Sequence, residues 1–195
     1  MEIFDDNKYV MLLTSVRSYY QQTHRVYHNW NHIIDGVKIA KSIPSDEFKW
    51  NRAQQLAWLF HDIVYNIGSD DNEKQSVALM YRVLKTLQYR YRLYYELDED
   101  AATAETIIRN TQFHIPSTAL CKAVLDIDMY CFSSSDLLHK ANANIKDEYC
   151  LDSMAPRYEF LRSLVGKQLY HTDYGKKRLQ PRAEQNIADI LKDRI

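Results

Sequence analysis

Three separated stretches of the chain carry side chains able to hold a cation: Tyr27-His28-Asn29-Trp30-Asn31-His32, Phe60-His61-Asp62 and Asp126-Ile127-Asp128. Imidazole nitrogen and carboxylate oxygen with no cysteine nearby suit one divalent ion, Mn, Fe, Co, Ni or Mg, that keeps positions open for water. Such an ion turns water into a nucleophile near neutral pH, so hydrolysis is the chemistry to expect. A His-Asp pair alone is an ordinary accident of composition, but its setting is informative. His61-Asp62 follows Leu56-Ala57-Trp58-Leu59-Phe60 and precedes Ile63-Val64-Tyr65. A carboxylate inside apolar sequence is costly unless it is paired or coordinates a cation. Neighbouring residues diverge by about 100° on a helix and can reach one cavity, whereas on a strand they face opposite ways. His28 and His32 share a face if a helix has begun by His28. Asp126 and Asp128 point in different directions on a helix. One is therefore expected as a direct ligand and the other as support that orients a histidine or a water. The pattern leaves the choice open, with Asp128 preferred and Asp126 the alternative.

The elements that must position these groups read as helices. Gly and Pro number only four each, and they punctuate apolar segments of helical spacing. A first helix is predicted over about 5–22, capped by Asp5 or Asp6, with Val10, Leu13, Val16 and Tyr20 on one stripe. A second begins near Asn29 to Asn31 and stops before Pro44. Ser45 caps a third, which carries Ala53, Leu56, Ala57 and Phe60 and delivers His61-Asp62 at its end. Asp70 or Asp71 opens a fourth through Val77, Met80 and Leu84. Others start at Asp98 and at Pro116-Ser117, and the last at Pro181, a favoured first-turn residue. Tyr89-Arg90-Tyr91-Arg92-Leu93 alternates with period two and reads as a strand, a loop or a helix of mixed face. The expected fold is an all-α helical bundle, with residues 1–195 forming a single domain.

Composition narrows the function further. A chain of 195 residues with 46% hydrophobic and 26% charged residues is ordinary for a soluble domain with a substantial core. A formal net charge of −1 advertises neither nucleic acid nor an anionic membrane. No apolar run reaches the roughly 18 residues of a membrane helix. The acidic start (Glu2, Asp5, Asp6) lacks the features of a secretory signal. Cys121, Cys131 and Cys150, odd in number and without metal-like spacing, read as buried reduced thiols of a cytoplasmic protein.

The order His…His-Asp…Asp on separate helices resembles the HD-domain superfamily of metal-dependent phosphohydrolases. More narrowly, it is similar to a branch of predicted phosphohydrolases within that superfamily. The likeness is carried by His24-Arg25-Val26-Tyr27-His28-Asn29-Trp30-Asn31-His32-Ile33, Trp58-Leu59-Phe60-His61-Asp62-Ile63-Val64-Tyr65, Asp71-Asn72-Glu73-Lys74-Gln75-Ser76, Thr111-Gln112-Phe113-His114 and Leu125-Asp126-Ile127-Asp128. Tyr158 to Leu164 and Arg182-Ala183-Glu184-Gln185-Asn186 also fit, so it spans nearly the whole chain. Met129-Tyr130-Cys131-Phe132 departs from the small and leucine residues that often follow the last aspartate in such relatives, which bears on pocket shape. The resemblance implies that His32, His61, Asp62 and Asp128 hold the metal, with His28 an outer ligand or a proton donor to the leaving group. It implies Glu73 as general base or water-orienting group and Asp62 as a further proton acceptor. Arg25 and Lys74 would clamp a phosphate. Asn72 and Tyr65 would line the substrate site, His114 would face the same cavity or a second ion, and Tyr65 and Tyr130 could stack on a base. The substrate implied is a small phosphorylated metabolite or nucleotide.

Other functions leave weaker traces. Tyr89-Arg90-Tyr91-Arg92 with Arg82 and Lys85 could hold single-stranded nucleic acid by charge and stacking, against which the balanced charge and the single short patch argue. A metal- or nucleotide-binding module of the same fold without turnover has the same ligand set. A zinc peptidase built on His28 and His32 is excluded, because its motif needs Glu where Asn29 stands.

Overall fold

The computed structural model describes residues 2–192. It is all-α, and no strand occurs among the described residues. The helices are α1 (Glu2–Asp5), α2 (Val10–Arg17), α3 (Trp30–Ser42), α4 (Arg52–Phe60), α5 (Asn72–Tyr91), α6 (Asp98–Thr111), α7 (Ala119–Asp128), α8 (Ser135–Glu148), α9 (Ala155–Leu164) and α10 (Gln180–Lys192). None of them is long and apolar enough to cross a membrane.

The bundle is organised around α4, which touches α1, α5, α6 and α7. Every residue from Ala53 to Phe60 is buried, including Gln54 and Gln55. Such a helix must satisfy its polar groups internally. Asn51 accepts from the Gln54 backbone while the Gln54 side chain accepts from the Asn51 backbone, a reciprocal capping box. Gln54 also donates to Leu120 O, and Gln55 accepts from the Ile3 backbone. Trp58 lies fully buried against α3, where Gly36 allows its approach: a Cβ on Gly36 would stand 2.1 Å from Trp58 Cζ2. The Trp58 indole N–H donates to Ile33 O.

Two apolar clusters build the core. One surrounds Leu56, Trp58, Leu59 and Phe60; the other joins Phe132, Leu138, Leu161, Tyr170 and Ile187. Tyr130 and Tyr174 pack against both.

Several predicted boundaries change. The helix expected over 5–22 is broken into α1, a 3-10 turn at Asn7–Tyr9, α2 and a second 3-10 turn at Ser18–Gln21. Asp5 falls inside α1, while Asp6 caps the first 3-10 turn by accepting from Lys8 N. Tightening the turns rotates the buried face, so Tyr9, Leu12, Val16 and Tyr20 are buried while Val10 is half exposed. Ser45 does not cap α4; the helix waits for Asn51, whose capping box offers more than a lone serine after Pro44. The Tyr89–Leu93 segment is neither strand nor loop alone. Its first three residues complete α5, which ends on Arg92 in the left-handed region (φ 56°). Asp98 and Pro181 fall within the first turns of α6 and α10, and Thr118 stands at the N-cap of α7. The three thiols are free, but only Cys121 is fully buried; Cys131 is half-buried and Cys150 exposed.

Candidate metal centre

Three elements bring the candidate donors together. α3 carries His32 in its first turn, behind an Asn29 N-cap that accepts from Asn31 N. α4 ends on His61, still helical in backbone, with Asp62 next. α7 ends on Asp128. His32 Nε2 lies 3.3 Å from His61 Nε2 and 3.4 Å from Asp128 Oδ1, and His61 Nε2 lies 3.6 Å from Asp128 Oδ1. Asp62 Oδ2 adds contacts of 3.0 Å to His61 and 3.7 Å to His32. A cation with bonds of about 2.1 Å separates adjacent donors by about 3.0 Å in an octahedron and about 3.4 Å in a tetrahedron. The His32-His61-Asp128 cluster could therefore hold a metal ion, with Asp62 at its edge.

The donors are oriented from behind. His61 Nδ1 donates to Trp58 O at 2.8 Å, which leaves Nε2 facing the cluster, and the Trp58 ring stacks on the imidazole. His114 Nε2 bonds Asp128 Oδ2 at 2.9 Å and leaves Oδ1 toward the histidines. His114 itself sits at φ 52°, a conformation uncommon for a residue with a Cβ. His171 Nε2 bonds the His114 carbonyl at 3.0 Å and helps to hold it there. Asp126 faces away from the cluster. It accepts from His171 N, Thr172 N and Thr172 Oγ1, and its Oδ2 lies where only a residue without a Cβ, Gly175, can pass. It thus reaches the centre only indirectly, through His171 and His114.

His28 precedes α3 and does not share a helical face with His32. It is placed instead by Glu148, at the end of α8, which was not singled out in the sequence. The Glu148 carboxylate is fully buried and accepts from Tyr27 N, His28 N and His28 Nδ1 at 2.7, 2.9 and 2.5 Å. Tyr65 stacks on the imidazole at 3.9 Å and bonds the Tyr149 hydroxyl. The sequence did carry a signal for Glu148: it lies on the buried stripe Leu138, Ala141, Asn142 of α8, where an acid is out of place.

A cavity of ≈ 430 Å³ opens over the cluster, with His28, Asp62, Glu73, His114 and Asp128 on its wall. Glu73, in the first turn of α5, has no side-chain hydrogen-bond partner among the described residues, and burial raises its pKa. Three of the residues expected to bind substrate do something else. Arg25 is 5% exposed, and its guanidinium donates to His28 O, Asp62 O and Ile63 O at 3.2, 2.6 and 2.9 Å. It braces the backbone of both motifs and has no free edge for a phosphate. Asn72 closes the 66–72 loop by bonding both backbone groups of Asn66. Lys74 is exposed and lies outside the cavity wall. Tyr89 and Arg90, with Arg82, Lys85 and Thr86, line a separate surface groove, which Tyr91 and Arg92 do not join.

Burial opposes the charge on Asp62, but adjacent His61 outweighs it and holds the carboxyl well below the usual range. Burial likewise opposes the Asp128 carboxylate and is overcome by hydrogen bonds from His114, His32 and His61. Desolvation disfavours the His61 imidazolium, yet Asp62 and Asp128 prevail and raise its pKa well above the ordinary histidine value. The metal-free protein therefore favours protonated His61, and this ion pairing contributes stability that is lost as pH rises through the raised pKa. A cation must displace that proton. Metal affinity is accordingly expected to fall as pH is lowered, with protons released on binding. Calorimetric titration of Mn²⁺ in buffers of different ionisation enthalpy measures this release, and a pH-independent affinity would contradict it.

The fold and site define an all-α protein with a candidate His/Asp metal centre beneath a cavity. Comparison with family models, curated proteins and solved structures finds no match to this chain.

Proposed function

We propose that the chain is a metal-dependent phosphohydrolase of the HD-domain type, acting on a small phosphorylated metabolite or nucleotide. The observation that carries this reading is the convergence of His32, His61, Asp62 and Asp128 from three helices at one end of a cavity that also presents His28 and Glu73. The donor set favours Mn, Fe, Co, Ni or Mg over a closed thiolate zinc site. When bound, such a cation would polarise a phosphoryl oxygen and lower the pKa of water beside it.

The chain's own residues supply the proton traffic. Glu73, unpaired and raised in pKa, accepts a proton from the attacking water. His28, its Nδ1 held by Glu148, presents Nε2 as the donor to the leaving oxygen. Because Glu148 takes the Nδ1 hydrogen, Nε2 donates only from the imidazolium, whose charge the Glu148 carboxylate offsets. His114 keeps one Asp128 oxygen occupied so that the other remains a ligand.

Metal analysis of the purified protein, followed by a phosphatase screen with Mn, Co, Ni and Mg, tests the proposal. Glu73→Gln is expected to lower kcat by about 10²–10⁴ while metal content is unchanged. Saturable binding of phosphorylated compounds without product would instead favour a binding module of the same fold.

A further inference from the structure

Once Arg25 is engaged by backbone carbonyls and Lys74 lies outside, the cavity retains, among the described residues, a single Lys or Arg on its wall, Arg157 of α9. It is 9% exposed. Its Nε donates to Asn142 Oδ1 at 2.8 Å, and its guanidinium lies over the Phe160 and Phe132 rings at 4.8 and 5.6 Å from their centroids. These contacts set the plane of the group, and the Nη hydrogens have no acceptor among the described residues. Among the described residues no carboxylate pairs with it. A buried cation without a counter-ion is costly, and a planar fork held rigid at a cavity wall matches a tetrahedral oxyanion. Beside it the wall carries the apolar side chains Ile145, Leu151, Pro156 and Phe160.

We propose that Arg157 forms an oxyanion subsite that binds a phosphate group of the substrate, held in place by Asn142 and Phe160. The class of ligand rests on the phosphohydrolase reading above; the existence of an anion site rests on Arg157 itself. Arg157 is a binding residue, distinct from the groups that move protons.

Inorganic phosphate is the probe, titrated calorimetrically into the full chain both loaded with Mn²⁺ and after chelation, so that the Arg157 contribution is read whether or not a cation is retained. Arg157→Gln is expected to weaken phosphate binding by about 10–100-fold, the worth of charge-assisted hydrogen bonds. Arg157→Lys, which keeps the charge and loses the fork, should fall between. Mn²⁺ affinity should be unchanged in both. Equal phosphate affinity in wild type and Arg157→Gln, or no phosphate binding to the wild type in either state, overturns the subsite. If Arg157→Gln loses helical circular dichroism, phenylglyoxal modification of the wild type decides by mass spectrometry. Protection of Arg157 by phosphate supports the subsite, and an unchanged rate overturns it. Phosphate binding through Arg157 without turnover of any phosphoester leaves the subsite standing and removes the hydrolase. Turnover with a KM unaffected by Arg157→Gln does the reverse.

Discussion

His61→Ala is expected to lower metal affinity by at least about 100-fold, since loss of an outer-shell partner alone typically costs 10–100-fold, and to abolish metal-dependent turnover. His61 supplies the most buried donor of the cluster and touches the other three candidate ligands within 3.6 Å. It cannot be replaced by a small rearrangement, because Trp58 packs on one face and the Trp58 carbonyl fixes Nδ1. Asp62→Ala and Asp128→Ala should move in the same direction. Helical circular dichroism should be largely preserved in all three, because each residue lies at or just beyond a helix end. Asp126→Ala is the control: it should loosen the 171–172 turn and cost stability, yet leave most metal binding intact. Full metal content and activity in both His61→Ala and Asp62→Ala would show that the centre has been wrongly assigned.

The second large effect is expected at Arg25. Its guanidinium satisfies the carbonyls of His28, Asp62 and Ile63, bonds Gln22 and lies over the Tyr20 and Tyr65 rings. Arg25→Ala strands buried carbonyls, each worth about 1–3 kcal/mol when left unpaired. Part of this will be recovered by water entering the space. A net loss of roughly 3–4 kcal/mol in unfolding free energy is expected, near the upper end for single substitutions. Arg25→Lys should recover little, since one ammonium cannot reproduce the fork. A residue that merely clamped a phosphate would behave differently: KM would rise while chemical denaturation was unchanged. Urea unfolding of the two variants separates these roles, and wild-type stability in Arg25→Ala would refute the brace.

The structure also explains why some expectations carried and others did not. The buried run Leu56 to Phe60 followed by His61-Asp62 needed no tertiary information, because a helix that is apolar all round must be central and a charged pair at its end must be compensated. The two-residue spacing of Asp126 and Asp128 likewise required that they diverge. Which of them faces the histidines depended on where the 171–175 segment crosses α7, and no local pattern encodes that. The resemblance cast Arg25 as a phosphate clamp, and no local pattern shows otherwise, because its partners Asp62 O and Ile63 O lie 37 and 38 positions away.

The sequence by itself therefore determined the helical class, the central helix and the residue types of the centre, since these follow from periodicity and from the cost of burying charge. Only the tertiary structure decided that Glu148 supports His28 across 120 positions, that Arg25 is a brace, and that Arg157 stands on the cavity wall. Those assignments rest on which helix faces meet, and pairing of faces is settled by packing among all the helices at once rather than by any one segment's pattern.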